Sequence, residues 1–587
     1  MNLLPKSLFT HCLMYTHLIY YVYLACLIPG GNAALQKPLS SLQEIAPKKV
    51  AIIGAGAAGA STAYSLRQYA DAQHIPINIT VFERSSYIGG RSTTVNVFDN
   101  PIYPIELGAS IFVSVNYNLV NASRDLGLIA RSADYARPKE TDDTIGIWDG
   151  EQMVFVFTDS SSWWNLAKLL WRYGMAPVNA YRLMKSTVNK FLQLYDGPMF
   201  PFQSLTLATQ AVGLLDTTAL PGLDYLRRNG ISDFFSREII QASTRVNYGQ
   251  NLGLIHGLET MVCLATDGAM AIEGGNWQIF DGMLKASGAD VRINHTVTSL
   301  NWAADDDDAH KTPPHPTTLT FKPNNPSAEQ VEDYDEIVIA APYHFTELTT
   351  TRPLETTPDK IPFVTLHVTL FSSPHRLSPE HFNLPGPTTP ETILTTLPLD
   401  LDATVGKAEK GVGPANFWSI STLRTVTPPS PLEEADGEQQ QEQQQHYVYK
   451  IFSPERPTAA FIRSILGLAD QKDKTTRSPP SGHGTSNSSI EDLPREDVSW
   501  FHEKVWRPYP FVYPRVTFEE VELAPHVWYT GAIESFISTM ETSALMGKNV
   551  AALMVKGWEE EREKAEAVSM VGSMGFRQFE DDGRVEL

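Results

Sequence analysis

A glycine-rich loop between a strand and a helix constrains the fold of this chain most. The stretch VAIIGAGAAGASTAYSL begins at Val50, and its apolar strand runs into Gly54, Gly56 and Gly59 before a helix-forming run. The first glycine permits a tight turn, the second lets the backbone approach a pyrophosphate, and the third allows close packing of helix on strand. The helix N-terminus then presents free N–H groups to phosphate. The spacing predicts a dinucleotide-binding βαβ unit rather than a plain packing turn.

The second strand of this unit supplies an acidic residue at the expected place. INITVFE ends in Glu83, which lies 24 residues after Gly59. A carboxylate at this position can accept hydrogen bonds from the adenosine ribose. The motif alone does not distinguish NAD from FAD.

The residues after Glu83 indicate which dinucleotide is bound. The chain continues with Arg84, the adjacent glycines Gly89 and Gly90, and Arg91, and E-L-G-A-S follows at residues 106–110. This second glycine loop resembles the extended fingerprint of flavoprotein amine oxidases and their relatives. The resemblance implies a Rossmann-type α/β domain that binds FAD, interleaved with an α+β substrate domain. A nicotinamide dehydrogenase would not need the second loop.

The same resemblance assigns roles along the chain. It places the glycines against the pyrophosphate, the arginine charge nearby, the E-x-G-A-S backbone near the flavin, and the backbone near Val297 against adenine. The strand DEIVIAAP would close the site. The residues implied to bind FAD are Gly54, Gly56, Ala58, Gly59, Glu83, Arg84, Gly89, Gly90, Arg91, Gly108, Ala109, Ser110, Val297, Ala341, Glu534, Met540 and Glu541.

The C-terminal segment predicts the last helix of the cofactor site. Ser538 and Glu541 have the S-x-x-E spacing of a capping box. The free N–H groups of this helix would face the flavin edge where reduction develops negative charge. The segment contains no cysteine, so we expect FAD to be bound non-covalently.

Three tracts narrow the family. Asn247 to Asn251 reads N-Y-G-Q-N, Ile272 to Asn276 reads I-E-G-G-N, and the C-terminal segment reads GAIES…METSALMGKNVAAL. Together they resemble the prenylcysteine oxidase family, from Lys48 to about Trp558 apart from polar insertions. The resemblance implies oxidative cleavage of a farnesyl or geranylgeranyl thioether to cysteine, a prenyl aldehyde and hydrogen peroxide, with molecular oxygen as the oxidant. The insertions leave the substrate preference open.

No side chain is identified as catalytic from the sequence. Sulfur stabilises the cation that hydride loss creates, so orientation of the substrate and control of water are the main demands on the protein. His256 is a weak catalytic candidate, and a structural histidine is the alternative that we favour. We expect no metal site.

A helical tract rich in tryptophan has three interpretations. Trp163, Trp164, Leu166, Leu170 and Trp171 could line a slot for the prenyl tail, could contact a membrane surface peripherally, or could form an ordinary helix core. The last of these is the most common origin of such a stripe.

The N-terminal segment and the net charge of the chain indicate where the protein is located and which partners it has. Residues 1–34 have the pattern of a signal peptide, with an uncleaved anchor as the alternative. The predicted mature chain keeps Cys263 alone and so has no internal disulfide. The net charge of −21 argues against a nucleic-acid partner. We expect the secretory pathway, ending in a lysosome or vacuole or outside the cell. Sequons for glycosylation occur at Asn487, Asn121, Asn294 and Asn78, and burial beside predicted strands would exclude the last two.

Segments of the two domains are expected to alternate. Polar, low-complexity stretches cannot bury enough apolar surface to order themselves, and we interpret them as insertions. The predicted order is a first FAD-binding segment (48–125), a mainly helical substrate segment (126–245), a second FAD-binding segment (246–345, with an acidic loop at 303–316), a substrate sheet (346–520, with insertions at 426–446 and 471–496), a third FAD-binding segment (521–560) and a tail (561–587).

Two other functions fit the same motifs. One is a different flavoenzyme, an amine oxidase or a polyene desaturase, in which Trp528 and Tyr529 would be an aromatic pair facing the flavin. The other is a flavin-binding or membrane-tethered protein without turnover.

Overall fold

The fold is built around a mainly parallel sheet, whose first strand leads directly into the glycine-rich loop. The computed structural model describes residues 46–136, 144–158, 162–301, 317–324, 328–402, 411–429, 444–468 and 488–581. The predicted signal peptide, the acidic loop at 303–316 and Asn487 lie outside these residues. The compact unit that contains the sheets starts at Pro47.

The strands alternate with helices along much of the chain, as an α/β fold requires. The strands are β1 (Lys48–Ile53), β2 (Ile77–Glu83), β3 (Thr94–Asn96), β4 (Pro104–Glu106), β5 (Ala130–Ser132), β6 (Thr144–Trp148), β7 (Met153–Thr158), β8 (Met270–Ile272), β9 (Asp290–Ile293), β10 (His295–Asn301), β11 (Thr317–Pro323), β12 (Gln330–Tyr334), β13 (Glu336–Ile339), β14 (Thr349–Thr350), β15 (Leu366–Ser373), β16 (Thr392–Thr395), β17 (Ser419–Val426), β18 (His446–Ser453), β19 (Trp500–Trp506), β20 (Glu522–Ala524) and β21 (Val527–Tyr529).

The helices cluster between residues 162 and 264 and at the C-terminus. They are α1 (Ala57–Ala72), α2 (Tyr117–Asp125), α3 (Ser162–Tyr173), α4 (Ala176–Phe191), α5 (Leu205–Ala211), α6 (Leu215–Thr218), α7 (Gly222–Arg228), α8 (Asp233–Phe235), α9 (Gln241–Tyr248), α10 (Gly257–Leu264), α11 (Trp277–Ser287), α12 (Tyr343–Thr346), α13 (Ala459–Ile465) and α14 (Met540–Asp581). Of the segment predicted to be mainly helical (126–245), residues 162–245 are mainly helical, whereas the part before them contains β5, β6 and β7.

The six-stranded sheet has the order β20-β21-β13-β1-β2-β9. All its pairings are parallel except β20 with β21. β1 and β13 are central, and their residues 50–53 and 337–339 are buried and apolar, as parallel strands covered on both faces require. The α/β prediction with a Rossmann-type arrangement is confirmed. Strands from all three predicted FAD-binding segments enter this sheet, although the exact domain boundaries stay predictions.

Helices α1 and α14 pack on each other against this sheet. The Ser61 hydroxyl on α1 donates to the Ala544 carbonyl on α14 at 2.7 Å. A methyl group at Gly547 would lie 2.3 Å from the Ala58 carbonyl oxygen, so this contact needs a glycine. α14 reaches Asp581 and therefore includes most of the predicted C-terminal tail.

The predicted substrate sheet is a seven-stranded sheet with the order β19-β15-β18-β17-β16-β6-β7. Its pairings are antiparallel apart from β16 with β6. The sequence predicts that the segments HYVYKIF and NFWSIST could each pair with β15 in an antiparallel sheet. HYVYKIF (β18) does so, whereas NFWSIST (β17) pairs with β18 instead. Residues 488–496, the described end of the predicted insertion at 471–496, pack against the core. Ile490 and Leu493 are buried there in a hydrophobic cluster.

The alternation in VRINHTVTSL predicts one strand, and this prediction is wrong. The stretch forms β9 in the six-stranded sheet and β10 in the four-stranded sheet β12-β11-β10-β14. Between them Asn294 has a φ of +56°, a left-handed conformation that turns the chain from one sheet to the other. Asn294, Asn78 and Asn121 are all exposed, so burial does not exclude the first two as glycan acceptors.

Candidate functional site

A cavity of about 1080 Å³ is lined by residues of both large sheets. Pockets for small molecules usually span roughly 300 to 1,000 Å³, so this one has room for a large ligand. Every residue predicted to bind the cofactor lines it except Gly59 and Glu541. We call Gly54, Gly56, Gly89 and Gly90 the glycine lining, and Ser538, Thr539 and Met540 the C-terminal lining.

The first glycine loop is shaped by backbone packing. Gly54 has a φ of +114°, which favours glycine, and a methyl group there would lie 2.7 Å from the Ala340 carbonyl oxygen. A methyl group at Gly59 would lie 1.9 Å from the Gly54 carbonyl oxygen. Gly59 therefore permits close helix packing, as predicted, and does not itself face the cavity.

The two glycine loops lie side by side. The Gly89 N–H donates to the Ala55 carbonyl at 2.9 Å, and a methyl group at Gly90 would lie 3.2 Å from the Gly56 Cα. At Gly56 itself the nearest atoms to an added methyl are 3.8 and 3.9 Å away. No side chain caps the N-terminus of α1, which begins beside Gly56 and lines the cavity at Ala57 and Ala58. This glycine cradle with helical N–H groups fits a pyrophosphate.

Glu83 organises the first loop. One carboxylate oxygen accepts from the Ala55 N–H at 2.9 Å, and the other accepts from the N–H and hydroxyl of Ser85 at 2.8 and 2.7 Å. A carboxylate has about four acceptor positions, so one stays available for a ribose hydroxyl. The predicted ribose contact thus remains compatible with a structural role that the sequence did not reveal.

The two predicted arginines have protein partners in the cavity wall. The Arg91 guanidinium donates to both oxygens of Glu534 and also to the Pro508 carbonyl at 2.7 Å. Burial opposes its charge, but the Glu534 carboxylate outweighs burial and holds the pKa of Arg91 above its ordinary value. Arg84 donates to the Phe345 carbonyl at 2.8 Å. The positive charge expected at the pyrophosphate is therefore shared with Glu534, another predicted cofactor residue.

The E-x-G-A-S and E-G-G-N motifs fold onto each other. The Asn276 N–H donates to the Glu106 carboxylate at 2.6 Å, and the Asn276 side-chain amide donates to the Ala109 carbonyl at 2.8 Å. A methyl group at Gly108 would lie 2.9 Å from the Trp506 ring, which explains the glycine there. Contacts between residues 170 positions apart carry no local sequence signal.

Glu106 and Lys450 give the cavity wall an unusual electrostatic character. Burial raises the pKa of Glu106 to about 8, while the hydrogen bond from Asn276 and the charge of Lys450 lower it by less. The Lys450 ammonium donates to the Glu106 carbonyl at 3.2 Å and to the Ser110 hydroxyl at 3.1 Å. At neutral pH the carboxyl is therefore mostly protonated beside a cation, which suits an anionic ligand.

The predicted capping box of the last helix is displaced by one residue. Thr539 and Thr542 cap it reciprocally: each hydroxyl accepts from the other's N–H at 3.1 Å. Ser538 and Glu541 do not form the box. The Ser538 N–H instead donates to Glu259 at 3.2 Å.

The carboxylate of Glu541 is hydrogen-bonded to another helix. Its carboxylate accepts from the Asn118 N–H and side-chain amide at 2.9 Å, from the Leu119 N–H at 3.0 Å and from the Tyr195 hydroxyl at 2.8 Å. It therefore caps α2 across the fold. Its carboxylate lies away from the large cavity, and the prediction that it contacts the cofactor is not supported. Met540 does line the cavity, as predicted.

His256 has a structural position. It is fully buried, and its Nδ1 accepts from the Glu259 N–H at 3.1 Å as the N-cap of α10. Burial lowers its pKa to about 4. It does not line the large cavity, and this position supports the structural alternative over the catalytic one.

Tyr248, from the Y-G-Q tract, lies where two cavities adjoin. Its hydroxyl donates to the Ser538 carbonyl at 3.0 Å. The neighbouring Glu259 is buried, and burial raises its pKa to about 7. A second cavity of about 170 Å³ shares wall residues with the large one and is mainly apolar. The shared residues are Ile111, Asn247, Tyr248, Thr539 and Met540.

The aromatic tract of α3 and the pair before the last segment do not belong to this site. Trp163, Trp164 and Trp171 are exposed and do not line the cavity, so neither the slot nor the helix-core interpretation holds for them. Trp528 and Tyr529 lie in β21, also outside the lining, and the Trp528 indole donates to Glu336 at 2.7 Å. The aromatic pair expected of an amine oxidase is thus not at the cavity.

Residues 156–567 match the model of the prenylcysteine lyase family, and residues 52–124 match that of the NAD(P)-binding Rossmann-like domain. Prenylcysteine oxidase 1 of Homo sapiens is 27% identical over 562 residues, covering 92% of this chain and 93% of the relative. The protein of that name in Bos taurus is 27% identical over 541 residues, covering 89% and 91%. Farnesylcysteine lyase of Arabidopsis thaliana is 25% identical over 532 residues, covering 88% and 89%. The chain belongs to the prenylcysteine lyase family.

Proposed function

We propose that this protein is an FAD-dependent thioether oxidase that cleaves prenylcysteine. Prenylcysteine, water and oxygen would give free cysteine, the prenyl aldehyde and hydrogen peroxide. The observation that carries the proposal is one cavity that joins both glycine loops to the Y-G-Q tract in a chain of this family. The relatives named above support the substrate class.

The residues of the cavity fit FAD. The glycine lining and the α1 N-terminus would hold the pyrophosphate, Glu83 the ribose, and the backbone near Val297 the adenine. When bound, FAD would supply a hydride acceptor that oxygen regenerates. Binding would be non-covalent: Cys263, the free cysteine of the described chain, is buried and lines the smaller cavity instead of the large one.

The substrate would lie in the cavity against Tyr248 and the C-terminal lining. The hydrogen bond from Tyr248 to Ser538 fixes both walls at this point. The adjoining apolar cavity, lined by Val188, Phe191 and Leu192 among others, would hold part of an isoprenoid tail. Loss of hydride from the carbon beside sulfur would be followed by addition of water and collapse of the hemithioacetal.

The chain's own role would then be to orient the thioether and to admit one water molecule. The Glu106 carboxyl holds a proton at neutral pH and so adds no negative charge next to an anionic cofactor. We further propose that the protein enters the secretory pathway and acts in a lysosome or vacuole or outside the cell. The exposed sequons at Asn78, Asn121 and Asn294 support this route.

The test uses the purified full-length protein. Its absorbance spectrum should show oxidised flavin that acid precipitation releases into solution. Farnesylcysteine should bleach this absorbance without oxygen, and with oxygen should yield hydrogen peroxide and free thiol in equal amounts.

A panel of amines provides the control substrates. Bleaching by amines and not by the prenyl thioether would assign the protein to the amine oxidases. A yellow protein that neither class bleaches would overturn the proposal in favour of a flavoprotein without turnover.

A further inference from the structure

Helix α3 turns large apolar side chains towards solvent. Trp163, Trp164 and Trp171 are 71%, 52% and 93% exposed. Met175, just after the helix, is 56% exposed. Soluble proteins rarely expose several large apolar side chains together unless they contact a partner.

The exposed residues share one face of the helix. At about 100° per residue, Trp164 and Trp171, seven positions apart, lie within about 20° of each other around the helix, and Trp163 lies about 80° to 100° to one side. The inner face is also apolar, because Tyr173 is buried and Leu169 packs in the same hydrophobic cluster. Packing against the fold therefore explains the inner face and leaves the outer tryptophans without a structural purpose.

The charge around this face is opposite to that of the whole protein. Residues 162–191, which form α3 and α4, contain five cationic side chains and no Asp or Glu, although the net charge of the chain is −21. Two acidic residues from other elements pair with this hairpin: Glu238 with Arg172 at 2.9 Å, and Asp267 with Lys185 at 3.3 Å. Among the described residues, these two paired anions against the five cations of the hairpin leave three of its positive charges in excess.

We propose that the α3–α4 hairpin docks this protein on the surface of an anionic lipid bilayer. Tryptophan favours the membrane–water interface, where its ring is apolar and its N–H stays hydrated. Helices with aromatic residues on one face and Lys or Arg beside them lie in that interface. Clustered cations add attraction to anionic headgroups, about fivefold in affinity for each residue at the surface.

A peripheral contact agrees with the rest of the described chain. No helix among the described residues has the length and hydropathy to cross a membrane. The proposal does not depend on the catalytic function, because Trp163, Trp164 and Trp171 lie outside the lining of both cavities.

The test is co-sedimentation of the full-length protein with vesicles. The probes are phosphatidylcholine vesicles and vesicles that also contain phosphatidylserine. We expect binding that rises with the phosphatidylserine fraction and falls with salt. The variant W163S/W164S/W171S should bind about 100-fold more weakly, since it removes three interfacial anchors.

Matched variants distinguish binding through this surface from non-specific hydrophobic or electrostatic binding. I102S/I129S/V331S removes three exposed apolar residues elsewhere and should bind like the wild type. R182E/K185E reverses two hairpin charges and should weaken binding to anionic vesicles at least tenfold, whereas R352E/K360E reverses two exposed charges elsewhere and should not.

Three outcomes would overturn the proposal. They are no binding to vesicles, equal binding by the tryptophan variant, and equal binding to neutral and anionic vesicles. Because the changed side chains are exposed, thermal unfolding should be the same in all variants. Absence of vesicle binding would assign the surface to a protein partner instead.

Discussion

The glycine lining and the C-terminal lining belong to one cavity but are held in different ways. In the glycine lining and directly behind it, backbone packs on backbone, and a methyl group added at Gly54, Gly59 or Gly90 would lie 3.2 Å or less from a backbone atom. At the C-terminal lining, buried carboxylates connect the chain to distant segments: Glu259 accepts from the Ser538 N–H, and Glu541, next to Met540, accepts from N–H groups of α2. The first region should be sensitive to volume and the second to hydrogen bonding.

The largest effect should come from adding volume in the glycine lining. Gly56→Val should abolish FAD binding, lowering affinity by about 100-fold or more, because the side chain would fill the place of the pyrophosphate. Gly56→Ala is the matched variant, since its methyl has ordinary contact distances of 3.8 and 3.9 Å, and it should retain a fraction of the flavin. Flavin content and thermal unfolding measure both effects. A fully yellow Gly56→Val protein would refute the placement.

Removing a carboxylate should instead destabilise the region of the C-terminal lining. Glu541→Ala removes the acceptor of four hydrogen bonds and leaves their donors unpaired inside the protein. It should therefore lower the free energy of unfolding by about 3 kcal/mol. Glu560→Ala, at an exposed position of the same helix, should change it by less than about 0.5 kcal/mol. Denaturant unfolding provides the measurement. Equal effects of the two variants would show that the contacts of Glu541 contribute nothing.

The pH dependence tests whether burial controls Glu106. Its folded pKa of about 8 lies above the ordinary value of 4.5, so the folded protein binds more protons than the unfolded chain between these values. Stability should therefore fall as the pH rises from about 5 to about 8. Glu106→Gln should remove this contribution to the pH dependence and be the more stable protein at high pH. Parallel stability–pH curves for the two proteins would contradict the assignment.

The smallest effect sharpens the position of the helix cap. Thr539→Ala should lower the free energy of unfolding by about 1 kcal/mol, because it removes the N-cap acceptor of α14. Ser538→Ala should cost less than half of that, since Ser538 bonds to Tyr248 and Glu259 through its backbone groups. The reverse order would restore the capping box predicted from the S-x-x-E spacing.

Local patterns predict the elements around the glycine lining correctly. The strand INITVFE, the buried strand DEIVIAAP and the helix at the end of the first glycine loop are all present, and the helix begins at Ala57. Sequence patterns whose outcome depends on which distant element packs against them are less reliable predictors. The tract VRINHTVTSL divides at Asn294 between two sheets, and the alternation of its residues does not reveal which sheet each half joins. The stripe on α3 is typical of a helix core, yet its tryptophans are exposed.

The sequence by itself determined the βαβ unit and the second glycine loop, because glycine spacing acts through contacts within a few residues or between adjacent loops. The choice of FAD over NAD came from the resemblance of the second loop to that of flavoprotein amine oxidases. Only the tertiary structure decided the roles of Glu541, Glu106 and His256. Asn118 and Leu119, which donate to Glu541, are 423 and 422 residues away in the chain, and Asn276, which donates to Glu106, is 170 residues away. A buried carboxylate must find donors wherever the fold supplies them, and no local spacing encodes which donors those will be.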